Sequence, residues 1–138
     1  FNDRYYGFDD AIYATFRVLE LLYLGINLDE ELDKLPKVYT SANIEIEVRE
    51  DEKFEIIEKI EDKLNNIQRG FPIIKNILKI DGLRINFENG WALIRASNTN
   101  ALIMTKYEAT SFGTAIAYKK AVENLIQEVR DELNSTTN

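Results

Sequence analysis

The sequence predicts an α+β fold: an antiparallel sheet of about four strands, covered on one face by two helices and preceded by a separate helical segment. Three observations carry this. Residues 83–88 alternate apolar and polar, Asn89-Gly90 suits a tight turn and the apolar Trp91–Ile94 runs back, the pattern of a hairpin. The stretches 52–67 and 112–133 repeat apolar residues three and four apart, the spacing of a helix with one buried face. Gly25 and Pro36 set an earlier helical pattern apart from everything that follows.

Along the chain, Phe8, Ile12, Phe16, Leu19 and Tyr23 recur at helical spacing and predict a helix over about 9–24. Asp9 and Asp10 stand at its start, where the helix dipole favours negative charge, and Gly25 stops it. Asn27 with Glu30 resembles a capping box opening a short helix to about residue 34. Pro36 ends that helix, and "LPKVY" reads as a linker. The organisation predicted is therefore one unit over 1–36 and a second over 37–138.

In the second unit, residues 44–48 alternate strictly and predict a half-buried strand. The helix over 52–67 presents Phe54, Ile57, Ile60, Leu64 and Ile67 on one face. Pro72 argues against a strand at the start of the next segment, with a short one possible over 77–80. Strands then follow over 83–87, 91–94 and 101–108. Ser111 caps a last helix to about residue 133, burying Tyr118, Val122, Leu125 and Val129, and "NSTTN" is expected to fray.

Composition removes several kinds of chemistry. There is no cysteine and no histidine, so thiolate catalysis, disulfides and an imidazole base are excluded. The absence of cysteine suits a cytoplasmic location. A net charge of −7 argues against a duplex-binding protein, which needs a basic face to displace counterions. No apolar run is long enough to span a bilayer. Phe1 in place of an initiator methionine reads as a cut made inside a larger protein.

One loop holds more polar groups than turning requires. In "RASNTNA", Arg95 offers a planar fork of donors, Ser97 and Thr99 offer hydroxyls, and Asn98 offers an amide while tolerating a left-handed turn. With backbone N–H groups turned into one concavity, these suit a tetrahedral dianion. The same residues also suit a plain hairpin connection with the arginine paired to a carboxylate. Charge-assisted hydrogen bonds contribute about 1.5–3 kcal/mol each against an association cost of at least about 4 kcal/mol. Three or four contacts then give roughly millimolar affinity. Asp9-Asp10 reads as a helix start, the acidic run over 47–55 as a solvated one, and Tyr5, Tyr6 and Phe8 as a packing contact. No catalytic residue and no metal ligand is nominated, because no nucleophile–base pair, zinc spacing or Gly-rich phosphate loop occurs.

The stretch "DGLRINFENGWALIRASNTNALIMTKYEA" resembles the last domain of the α-D-phosphohexomutases, of the bacterial phosphomannomutase/phosphoglucomutase type. "FNDRYYGFDDAIYATFRVLELL" resembles the segment that follows the sugar-recognition loop of their third domain. The two motifs stand in the family's order, and residues 68–80 match least. The resemblance implies a four-domain enzyme that interconverts hexose 1- and 6-phosphates, such as those of mannose or glucose, using a phosphoserine and Mg²⁺. It implies that residues 1–36 end the third, sugar-binding domain. Residues 37–138 would form the fourth, similar to a TATA-binding-protein-like sandwich. By position, Arg95, Ser97, Asn98 and Thr99 would clamp the phosphate that is not being transferred. The partners implied are the hexose phosphate and the remaining domains, with neither nucleic acid nor membrane. The phosphoserine, the Mg²⁺ site and the sugar-recognition loop would lie outside this chain, which alone would be inactive. Ala101 stands where the family has proline, which is expected to loosen the loop. A non-catalytic α+β module binding a ligand or a partner chain is the alternative.

Overall fold

The computed structural model describes residues 4–66 and 70–136, and the chain divides into two compact units, Phe1–Pro36 and Lys37–Asn138. In the first, helix α1 spans Ala11–Tyr23. Its cap is Asp10, whose carboxylate accepts the Tyr5 hydroxyl at 2.6 Å and the Tyr13 N–H at 2.9 Å. The hydrogen bond from Tyr5, then that from Tyr13, holds the Asp10 carboxyl below its usual range. The Tyr5 ring stacks on Tyr13 at 4.1 Å. Helix α2, Leu28–Asp33, opens on the predicted capping box: Asn27 accepts the N–H groups of Asp29 and Glu30 and donates to the Glu30 carboxylate. Neither helix buries a residue, and Ile12 and Phe16 on the apolar face of α1 are 73% and 65% exposed.

The second unit contains β1 (Tyr39–Thr40), β2 (Ile44–Glu47), α3 (Lys53–Asn65), β3 (Ile74–Leu78), β4 (Leu83–Phe87), β5 (Gly90–Ala96), β6 (Leu102–Ala109) and α4 (Phe112–Thr136). All strand pairs are antiparallel. The order runs β3-β4-β5-β6, and β1 and β2 share the outer edge of β6 in succession. Both helices pack on one sheet face. This is the predicted α+β architecture, with β1 and β3 added to the four patterned strands. Alternation sends Leu83, Ile85 and Phe87, then Ala92 and Ile94, then Ile103 and Tyr107 toward the helices. Ile56 and Ile60 of α3 and Val122, Ile126 and Val129 of α4 meet them. Lys63 joins the helices, donating to Glu128 and Glu132 at 2.7 Å each.

Three details differ from expectation. The buried stripe of α3 is Lys53, Ile56, Ile60 and Leu64, while Phe54 is 56% exposed and Ile57 only half-buried. Two apolar stripes overlap in this helix, and its packing against β5 selects between them. Ile67, assigned to the same face, lies outside the described residues. Second, the hairpin turns on Glu88 and Asn89, and Gly90 already belongs to β5. Gly90 is required by close approach: a Cβ there would lie 2.0 Å from the Glu108 carbonyl oxygen. Third, α4, capped by Ser111 through the Thr114 N–H at 3.1 Å, runs on to Thr136, past the expected end near residue 133; the last two residues of the stretch expected to fray lie outside the described residues.

Candidate functional site

Strands β5 and β6 pair from Gly90 opposite Ala109 to Ala96 opposite Ile103, so the connection over 97–101 closes one end of the two longest strands. The Ser97 N–H donates to the Leu102 carbonyl at 2.9 Å, and the Leu102 N–H donates to the Asn100 carbonyl at 2.9 Å. The Ser97 hydroxyl, on a residue only 6% exposed, accepts the N–H groups of Thr99 at 3.4 Å and Asn100 at 3.2 Å. The loop is folded around that oxygen. Asn98, Thr99 and Asn100 are exposed.

Arg95 alternates with the buried Ile94 and Ala96 and so belongs to the sheet face away from the helices. Its Nη1 donates to the Asp81 carboxylate at 2.7 Å, while its Nε is buried and finds no acceptor. Asp81 is brought there by Gly82. With φ at +92°, Gly82 lies so close to β5 that a Cβ would come 2.3 Å from the Ile94 carbonyl oxygen and 2.9 Å from the Arg95 Cα.

The far side of the loop rests on the start of α3. Lys53 is 1% exposed, and its Nζ donates to Glu50 at 2.6 Å and to the Asn100 carbonyl at 3.3 Å. The Val48 N–H donates to the Ala101 carbonyl at 3.1 Å. Ala101, expected to loosen the loop, and Asn100 before it therefore have both carbonyls tied to the 48–53 segment.

The structure brings the four sequence-predicted residues onto one strand end and loop and divides their roles. Arg95 is paired with a carboxylate, as the plain-connection reading requires, yet Asp81 engages Nη1 alone. Ser97 turns inward and shapes the loop. Asn98 and Thr99 present their side chains to solvent. Two expected features are absent. Among the described residues no non-glycine has a positive φ, so Asn98 makes no left-handed turn. The N–H groups of Thr99 and Asn100 both point at the Ser97 hydroxyl, so these donors are taken up within the loop and not open to an anion.

Sequence reasoning missed Asp81, Gly82 and Lys53. Asp-Gly is a common turn dipeptide, but nothing local ties it to Arg95. Lys53 sits in an acidic run that reads as solvated, although Arg49 pairs with Glu52 at 2.8 Å and Lys53 with Glu50. Among the described residues no three carboxylate, histidine or cysteine side chains converge as a metal site would require. No described helix is long and apolar enough to cross a membrane.

An antiparallel α+β domain with an arginine- and hydroxyl-bearing loop at a strand end matches a known family model, "Phosphoglucomutase/phosphomannomutase, C-terminal domain", over residues 45–131. The chain belongs to the phosphoglucomutase/phosphomannomutase family and carries its C-terminal domain. The phosphomannomutase/phosphoglucomutase of Pseudomonas aeruginosa is 34% identical over 96% of this chain and 28% of its own length. The phosphoglucomutase of Neisseria gonorrhoeae is 36% identical over 79% of this chain and 23% of its own. A solved phosphoglucomutase/phosphomannomutase family protein from Burkholderia thailandensis matches with a TM-score of 0.74 at 26% identity, covering 94% of this chain and 26% of that one. The chain thus spans about a quarter of the length of the relatives it matches.

Proposed function

We propose that residues 37–138 are the phosphate-binding domain of a phosphomannomutase/phosphoglucomutase-type isomerase. Arg95, Ser97, Asn98 and Thr99 hold the phosphate of a hexose phosphate that is not being transferred. Residues 1–36 are the end of the preceding, sugar-binding domain, and the exposed apolar face of α1 belongs against the rest of that domain. One local observation supports the clamp beyond family membership. Asp81 takes only Nη1 of Arg95, whose side chain is 36% exposed. The exposed remainder of the guanidinium fork can donate charge-assisted hydrogen bonds to a phosphate oxygen. Asp81 fixes the plane of the fork, Asn98 and Thr99 add exposed donors, and Ser97 keeps the loop in shape.

The clamp contributes by position. Binding energy at the remote phosphate holds the sugar so that its other end meets the phosphoserine, which turns an encounter into an oriented, effectively unimolecular step. The phosphoserine and Mg²⁺ are supplied by sequence outside this chain, in the cytoplasmic full-length enzyme. The chain alone therefore turns over no mannose 1-phosphate. In the full-length enzyme, Arg95→Ala lowers kcat/KM by roughly 10- to 100-fold, the equivalent of one charge-assisted contact. An unchanged kcat/KM, with only stability affected, would leave the loop a plain connection and favour a ligand- or partner-binding module.

A further inference from the structure

We propose that Lys53 is a positioning residue for this loop: its buried ammonium fixes the Asn100 carbonyl from beneath and so sets the donors of Asn98 and Thr99 for an anion. The inference rests on reading the loop as a phosphate site. A lysine end is rarely buried, because the charge gives up its hydration unless a partner replaces it. Glu50 is one such partner, but it is 67% exposed and could pair with a lysine at the surface equally well. Burial instead gains reach. It carries Nζ to a carbonyl 47 residues along the chain, 3.3 Å away, on the far side of the loop from Arg95. The loop is then pinned at three oxygens: Ser97 Oγ, the Asn100 carbonyl and the Ala101 carbonyl. The first is internal to the loop, the third is tied to the strand-to-helix turn, and only the second is held by a side chain of the core. Because Glu50 offsets its charge, Lys53 acts through shape more than through attraction.

The test uses the ¹⁵N-labelled 138-residue chain with inorganic phosphate as the probe. Lys53→Met fills the same buried space without a donor. The β5 and β6 amides should stay protected, while Thr99 and Asn100 exchange about tenfold faster and phosphate binds about tenfold more weakly. Glu50→Gln, at an exposed position, should keep loop exchange and phosphate affinity close to wild type. Wild-type loop exchange and affinity in Lys53→Met overturn the inference while leaving the phosphate reading intact. If Lys53→Met does not fold, a large loss of affinity in the folded Glu50→Gln chain overturns it, because the carboxylate would then be the determinant. If the wild-type chain shows no phosphate shifts well above millimolar concentration, the phosphate reading fails and the positioning role fails with it. Faster loop exchange in Lys53→Met would in that case mark a purely structural tie.

Discussion

Gly82→Ala tests whether the Asp81-Gly82 turn is seated on β5 and through it orients Arg95. Two costs add at this position. The φ of +92° lies in the left-handed region, which costs an L-residue roughly 1–2 kcal/mol. The new methyl would also lie 2.3 Å from the Ile94 carbonyl oxygen and 2.9 Å from the Arg95 Cα, against an ordinary separation of about 3.5 Å. Backbone cannot swing aside as a side chain can, so the turn must retreat by about 1 Å, at an overpacking cost of about 1–3 kcal/mol. The sum is roughly 2–5 kcal/mol, or about 8–20 °C in Tm at about 4 °C per kcal/mol. Urea unfolding followed by Trp91, the sole tryptophan, reads this unit alone, since its indole is fixed by Glu108 at 3.0 Å and lies under Arg84. Gly70→Ala is the control, with φ at +111° and nothing within 4 Å of the added methyl. It should lose only the backbone term of about 1–2 kcal/mol. Equal losses for the two variants would refute the seating of the turn on β5.

Other expectations follow from the core. The Tyr107 hydroxyl is pushed up to about 12 by burial, whereas an unfolded tyrosine titrates near about 10. Its contribution is therefore complete below pH 10 and lost as pH rises to 12, about 2–3 kcal/mol in all. Tyr107→Phe should flatten this alkaline decline and, because the hydroxyl makes no well-formed hydrogen bond, cost little at neutral pH. Some slope should persist, because the hydrogen bonds that Lys63 donates to Glu128 and Glu132 raise its pKa, and its stabilising contribution is also lost as pH climbs through the raised value. Ile56→Ala, at a fully buried site outside the helix face expected from sequence, should cost about 2–5 kcal/mol. Phe54→Ala, at an exposed one, should cost less than about 1 kcal/mol. The reverse order, measured by denaturant midpoint, would restore the helix face expected from sequence.

What the sequence made legible was local. The hairpin, the capping box at Asn27 and the cap at Ser111 are each encoded by residues a few positions apart, so their chemistry is complete within the window that reveals it. The two-residue β1 has no periodicity to detect; it forms because Thr40 finds Glu108 on β6. Pro72 obscured β3, which starts two residues later, where no ladder N–H is lost. In α3 the repeats of Phe54 and Ile57 and of Ile56 and Ile60 are equally helical, and only packing on the sheet separates them. The site divides the same way. Arg95, Ser97, Asn98 and Thr99 fall within five consecutive residues and were legible. Asp81 reaches Arg95 across a strand, and Lys53 reaches Asn100 from another helix, so neither pairing leaves a mark in sequence spacing.

The central claim, that the loop over 95–99 takes a sugar phosphate, is tested most directly by NMR titration of the labelled chain with mannose 1-phosphate, in wild type and in Arg95→Ala. The account predicts amide shifts confined to Arg95 through Asn100, saturating at about millimolar ligand and lost in the variant. Shifts that persist in Arg95→Ala, or that centre elsewhere on the sheet, would contradict it.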